Sequence, residues 1–598
     1  MRPSGWLGSA STIVVGGCLL AVEPARADEP RSPYESETIA AALQATGGVV
    51  DEAPQGKVIE EIVIRPLDVL EDRDPLPSFA IDFLNFFHVT SQPEILRQLL
   101  LVKAGDPYNQ AFVDESARRL RNVRQLSLVL TLALRGSAPD RVKLLVITKD
   151  IWSLRLNSDF RASSSGLEYL LLQPAEENVA GLQHTASLRF ELEPATYTFG
   201  VGYKVPRVGG SEIAATLTTN LIVNRDSGDL EGVVGGFYYG QPLTNTRLEW
   251  SWVASMTFQE RVTRFFQGLE PLTFDAPSTP EDDAIPIQYD VDSLAGRLAF
   301  IRSFGVSVKH DVLFGVEATR NVFRPRGLEG VSDVVRDEFV AAEIPASDRR
   351  LYPYVGYSTY SNVFQSVLNV ETLGLQENFR SGHDAYVKIY PVFRELASSR
   401  SFLGVNAGAA LTAPLGDGFA RLAAQGTFEA SPEQVYDYNL AVSSRFVSPT
   451  TPVGRLHFDS VWFQRFENFL NRQSVLGGES RLRGYPSGAY RGANVMAYNL
   501  ELRSRPAELW TLQLGAAAFY DSGAVWDEGE VPDFVQDVGV GLRLVFPQLE
   551  RTGMRFDWAV PLQLDPSVGV DSVFPGRFLV TFDQAFGVPG VSVPNVAL

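Results

Sequence analysis

The chain has 598 residues, 45% of them hydrophobic and 21% charged, with a formal charge of −19. Such acidity excludes a surface built to neutralise phosphates, so no nucleic-acid partner is expected. The mean hydropathy of −0.02 is too low for a bundle of apolar transmembrane helices; a barrel that alternates lipid-facing and lumen-facing residues averages to about this value.

Residues 1–27 read as a secretory signal: Arg2, a short apolar core over 11–22, then Ala25-Arg26-Ala27 as the cleavage pattern. A mature start at Asp28 would remove Cys18, the only cysteine, leaving no disulfide and no thiolate metal site. Lipidation of Cys18 is the weaker alternative. Residues 28–56, rich in Glu, Ala, Pro and Gly, predict a flexible leader.

Residues 57–150 predict a small α+β domain. Val58–Ile64 is a strand, Ser91 caps a helix that opens at Pro93, and about Asn109–Val123 forms a second helix with Val113, Ala117 and Leu120 on one side. Leu126, Leu128, Leu130, Leu132 and Leu134 then alternate with polar residues, a half-buried strand, and Val142, Leu144 and Val146 continue as another.

From about Trp152 helical spacing gives way to period two. Phe199, Val201 and Tyr203 alternate with Gly200, Gly202 and Lys204; Phe556 and Trp558 alternate with Arg555 and Asp557. No stretch after residue 27 approaches the ~18 apolar residues of a spanning helix. A chain of this kind crosses a membrane as a closed barrel, because an open sheet edge in hydrocarbon is too costly. The fold class is therefore mainly β: an antiparallel barrel over 151–586 preceded by the α+β domain, with 587–598 as a tail. At ~9–11 residues per membrane strand, sixteen strands fit, although nearer twenty candidates can be counted. Polar stretches at 259–286, 320–348 and 464–493 predict outside loops.

Enzyme chemistry finds no support. His88, His184, His310, His383 and His457 are isolated, and there is no nucleophile elbow, phosphate loop or complete calcium loop. No metal and no cofactor is expected.

Residues 477–503 read GGESRLRGYPSGAYRGANVMAYNLELR, and Phe519-Tyr520-Asp521-Ser522-Gly523 follows on the next strand. This block resembles the BamA/TamA superfamily of outer-membrane assembly factors, also called bacterial surface antigens. Arg483-Gly484-Tyr485 matches the family's loop tip, Asn499-Leu500-Glu501 its next strand, and Arg555 to Pro561 and Arg577 to Phe586 its last two strands. Gly105-Asp106-Pro107-Tyr108 and Glu115 to Arg121 resemble a single polypeptide-transport-associated (POTRA) domain. The chain departs from the family in having room for one such domain, in the apolar insertion at 65–90, and in the residues after Phe586.

The resemblance implies a loop folded into the lumen with Arg483 held by Glu501 and Asp521, and a guanidinium fork does suit carboxylates. It also implies an outer-membrane location with the N-terminal domain in the periplasm. The last strand, with Phe578, Val580, Phe582 and Phe586, would form a weak seam with the first. An open seam offers unpaired backbone groups to an added strand. The expected function is insertion of outer-membrane proteins or protein translocation. The expected partners are the outer-membrane bilayer, client outer-membrane or secreted proteins, and periplasmic or lipoprotein subunits. A passive pore or surface-binding barrel, and a transporter of one dedicated secreted protein, are the alternatives.

Overall fold

In the computed structural model the described residues are 31–582, except 72–76, 87, 124, 164–165, 268, 281, 479–480, 510–511 and 547–552. The signal at 1–27, Cys18, Phe586 and the tail at 587–598 lie outside them, as does the side chain of Phe582.

Helix α1 (Pro33–Thr46) opens the described chain. It falls where a flexible leader was expected. Ser32 and Glu35 form a reciprocal capping box, with the Glu35 N–H donating to Ser32 Oγ at 3.2 Å and the Ser32 N–H to Glu35 Oε2 at 2.9 Å. Pro33 occupies the first turn, where its missing N–H costs nothing.

The α+β domain follows as β1 (Val58–Leu67), α2 (Ser78–Phe86), α3 (Pro93–Arg97), α4 (Gln110–Arg121), β2 (Leu126–Arg135) and β3 (Arg141–Asp150). The sheet order is β1-β3-β2, with β1 parallel and β2 antiparallel to β3. Both sheet faces are covered. Leu96, Val113 and Leu120 pack on Ile59, Val129 and Leu144, while Ala42 of α1 packs on Leu128, Leu130 and Leu145. Two-sided burial explains why β2 and β3 are buried at nearly every position rather than at every second one. Ser91 does not cap α3 as expected; Gln92 precedes the helix without a side-chain cap, and the Ser91 N–H donates to Asp150 Oδ2 at 2.5 Å.

Twenty wall strands, β4 to β23, close into one antiparallel barrel among the described residues. The first seven are Leu154–Ser163, Gly166–Val179, His184–Leu192, Thr196–Val205, Ala214–Asn224, Leu230–Gln241 and Trp250–Arg264. Then come Gln288–Phe304 (β11), Val308–Pro325 (β12), β13 in two pieces (Asp348–Ser361 and Val363–Leu368), Gln376–Val392 (β14) and Phe402–Leu415 (β15). Gly418–Ala430 (β16), Val435–Val447 (β17) and Gly454–Asn468 (β18) follow. The last five are β19, again in two pieces (Asn494–Ser504 and Ala507–Leu509), Leu512–Trp526 (β20), Val535–Val545 (β21), Met554–Pro561 (β22) and Arg577–Phe582 (β23). Each split strand pairs with one neighbour along both pieces, so it counts once.

The expectation of sixteen strands is therefore corrected to twenty. The surplus candidates are wall strands, not loop hairpins, because most connections are short turns, such as 193–195 and 416–417. The outside loops also start later than expected, β10 running on to Arg264 and β12 to Pro325.

Outward positions are apolar: Phe199 and Val201 on β7, Leu298 on β11, Phe314 and Val316 on β12, and Val540 and Leu542 on β21 are all exposed. A belt of this extent is far larger than a water-soluble monomer displays, and it is what hydrocarbon covers in a membrane barrel. No helix among the described residues is long and apolar enough to cross a membrane.

The α+β domain sits at the end where the chain enters the barrel, here the near end. The Thr246 N–H donates to Glu115 of α4 at 2.6 Å, and Arg119 reaches Glu212 at 3.3 Å. At the far end, the loops at 265–287 and 326–347 build a cap with its own core, in which Phe339 of α5 (Asp333–Glu343) packs with Ile285, Tyr289 and Val335.

Candidate functional site

The connection from β18 to β19 leaves the far end and folds back into the lumen. Alternation on the wall decides what it meets. Leu500 and Leu502 of β19 face outward and are exposed, which turns Asn499, Glu501 and Arg503 inward, where they are buried. Asp521 of β20, Asp537 of β21 and Asp557 of β22 point the same way and are 0–1% exposed.

Arg483 enters this acidic wall fully buried. Its Nε and Nη2 bind the two oxygens of Asp521 at 2.7 and 2.9 Å. Its Nη1 is shared by Glu501 and Asp557, each at 3.0 Å. The guanidinium lies on the Phe519 ring, 3.3 Å from the centroid. Fork, charge and stacking are thus all used, a combination that an ammonium cannot reproduce.

The two residues after Arg483 are seated with equal closeness. The Gly484 N–H donates to Asp537 Oδ2 at 2.9 Å, and a Cβ there would lie 2.6 Å from Asp537 Cβ. Only glycine fits that approach. The Tyr485 hydroxyl has the carbonyls of Gln563, at 3.0 Å, and Gln536, at 3.2 Å, as acceptors for its one proton, while its ring packs with Leu482 and Val570.

The sequence-derived set of Arg483, Gly484, Tyr485, Glu501 and Asp521 is therefore in one place. Asp557, Asp537, Phe519, Arg503 and Arg543 were missed. Arg543 spans Glu501 Oε1 at 2.9 Å and Asp557 Oδ1 at 2.6 Å, so each acid is shared by two or more cations. The alternation of Arg555 and Asp557 with apolar residues was visible in the sequence and marks Asp557 as inward.

A second loop enters the lumen at the near end. Residues 369–375, between β13 and β14, turn inward, with Val370, Leu373 and Leu375 buried. The Glu377 carboxylate accepts from the N–H groups of Val370, Glu371 and Thr372 at 2.9, 2.7 and 3.2 Å. A Cβ on Gly374 would fall 2.9 Å from the Gln513 side chain on β20, so this turn reaches the same wall that holds Arg483. Glu35 of α1 accepts from the Gln376 N–H at 3.4 Å, bringing the N-terminal segment to the foot of this turn. The far cap braces the other loop, through Arg491–Glu343 at 2.7 Å and the Ala346 N–H on the Leu470 carbonyl at 2.9 Å.

The remaining predicted residues lie at the closure. Phe578 and Val580 of β23 face outward, and Phe578 is 60% exposed. Among the described residues the junction of β23 with β4 has three register pairs, Phe578↔Ala162, Leu579↔Arg161 and Val580↔Phe160. Other wall junctions have six or more, the shortest being β22–β23 and β5–β6. Inside the lumen, Arg577 and Glu168 of β5 meet at 3.3 Å across this junction.

No family model and no curated protein matches the chain. Among solved structures it is similar to BamA from Haemophilus ducreyi lacking POTRA domains 1–3, at 13% identity over 87% of this chain and 83% of that one, with a TM-score of 0.34. It is also similar to CdiB from Acinetobacter baumannii (12% identity, 92% of this chain, 81% of that one, TM-score 0.40). CdiB from Escherichia coli gives 11% identity over 92% of this chain and 84% of that one, with a TM-score of 0.43.

Proposed function

We propose that this chain is an outer-membrane barrel that inserts client proteins, or passes them outward, through its β23–β4 junction. The observation that carries the proposal is the junction's three register pairs among the described residues, in a wall whose other junctions have at least six. Backbone pairing holds a barrel closed, so the junction with fewest pairs separates first. Once parted, it presents an edge to which a client strand can add. The client's own folding supplies the driving force, and no catalytic group or nucleotide is needed.

The lumen favours a lateral route over a central pore. It is occupied by residues 482–485 from the far end and 369–375 from the near end, both buried against the β19–β22 wall. A passive channel would need both to leave. We read Arg483 and its acids as the device that holds the far-end loop while the junction works. Apart from the inserted helix α2, the domain's β-α-α-β-β order fits a POTRA module on the periplasmic side. Its β2 edge is partly taken, since Val50 bridges Leu134, which leaves the barrel junction as the main docking edge.

Reconstitution tests the proposal. Purified protein in liposomes should speed folding of a urea-unfolded outer-membrane barrel added from outside. A disulfide joining Phe160→Cys to Val580→Cys should abolish that acceleration, and reduction should restore it. Equal acceleration by the oxidised protein would rule out the junction as the route.

A further inference from the structure

The insertion between β1 and α3 is fastened at both ends to the last two residues of β3. Glu71, at its start, pairs with Lys149 at 3.1 Å. His88, at its end, lies 3.4 Å from Asp150. Between these ties runs α2, which is therefore held at the doorway of β4, one side of the β23–β4 junction.

One face of α2 is committed to the domain. Ile81 is buried with Val69 and Leu70, and Trp152 packs against them. Asn85, one turn on, exchanges two hydrogen bonds with the Leu70 backbone, at 3.2 and 2.9 Å. On the other side of the helix Phe79 is 75% exposed. Phe83 and Phe86 repeat Phe79 at four and seven residues in the sequence, the spacing of one helical face. The sequence spacing thus gives α2 a phenylalanine stripe, and phenylalanine is stabilised by leaving water.

The position of the helix says what covers that stripe. Trp152 joins α2 to β4, and two residues later the outward belt begins with Leu154 and Leu156, 50% and 56% exposed. The apolar face of α2 thus continues the barrel's lipid-facing belt at its near rim. We propose that α2 is an interfacial helix that lies in the near leaflet beside the junction, with phospholipid as its partner. Residues 71–89 hold Glu71, Asp72, Asp74 and Asp82 against Arg73 alone. The attraction is accordingly apolar rather than electrostatic, and zwitterionic lipid suffices. A helix wedged there would loosen lipid packing where a client strand has to enter. The inference rests on the membrane-spanning reading of the barrel and is independent of whether the junction opens.

The test uses the full chain with Cys18→Ser and a single introduced cysteine carrying an environment-sensitive dye. Phe79→Cys is compared with Leu156→Cys on the belt and with Lys103→Cys on the exposed domain surface, in nanodiscs of neutral phosphatidylcholine with and without brominated chains. The bromine should quench the dye at Phe79 at least twofold more than at Lys103, equally at low and high salt. Leu156 should be quenched in parallel. Quenching at Leu156 but not at Phe79 overturns the interfacial helix and leaves the barrel reading intact. Loss of quenching at both overturns the two together. A Phe79 signal that follows protein concentration rather than bromine assigns the face to a second copy of the chain instead.

Discussion

Arg503 and Val370 join the two loops that enter the lumen. The Arg503 Nη1 donates to the Val370 carbonyl at 2.6 Å, while its Nε binds Glu501 at 2.8 Å, and Glu501 also holds Arg483. One buried guanidinium thus ties the turn at the near end to the acid that pins the far-end loop. Removing it should affect both. In Arg503→Ala, cysteines placed at the buried positions Thr372 and Leu482 should each label faster with a membrane-impermeant thiol reagent in detergent-solubilised protein. A change at Thr372 alone would show that the two loops move independently.

Arg483→Ala leaves Asp521, Glu501 and Asp557 without their shared cation. Breaking a buried pair typically costs on the order of 3–5 kcal/mol. The strand ladders do not run through Arg483, so the barrel should still migrate as a folded species in unheated gels. The loop should be released, with labelling at a cysteine replacing the buried Leu482 rising at least tenfold, and Arg483→Lys should rescue little. Unchanged labelling would remove Arg483 as the anchor.

Gly484 and Gly488 separate contact from backbone strain. A Cβ at Gly484 meets Asp537 Cβ at 2.6 Å, whereas one at Gly488, at φ +68°, meets nothing within 4 Å. Gly484→Ala should therefore unseat the loop as fully as Arg483→Ala. Gly488→Ala should cost only the left-handed backbone penalty of roughly 1–2 kcal/mol and leave position 482 protected. Equal labelling in the two variants would contradict the seating described for Gly484.

Arg577 and Glu168 staple the β23–β4 junction from inside. A hydrogen bond to a charged partner is worth about 1.5–3 kcal/mol, so Arg577→Ala should speed amide exchange over 577–582 by on the order of tenfold. Exchange over β16, far around the wall, should not change. A uniform increase would mean global destabilisation instead of a local opening.

Much of this site was legible in the chain because it is local. Arg483-Gly484-Tyr485 stands among glycines in a long connection, and Glu501 and Asp521 sit on the strands that follow. Asp557, Arg543 and Arg503 are brought in by strand register, and a sequence fixes which face a residue takes far better than which residue lies opposite. The helix α1 was hidden by the leader's composition, although Ser32-Pro33-Tyr34-Glu35 spells a capping box with proline at the first position. The strand count failed because turn lengths, not strand lengths, decide how many strands 436 residues make, and periodicity does not report turns.

The most direct test of lateral opening is a photo-crosslinker at Phe578, in living cells, with and without a disulfide between Phe160→Cys and Val580→Cys. Lateral entry predicts adducts with precursor barrels or secreted proteins in the reduced protein, their loss on oxidation, and their return on reduction. A matched disulfide between Ala423→Cys and Ser443→Cys, register partners within the wall, should change nothing. Identical adducts with the 160–580 junction locked, or adducts to lipid alone in the reduced protein, would contradict the proposed function.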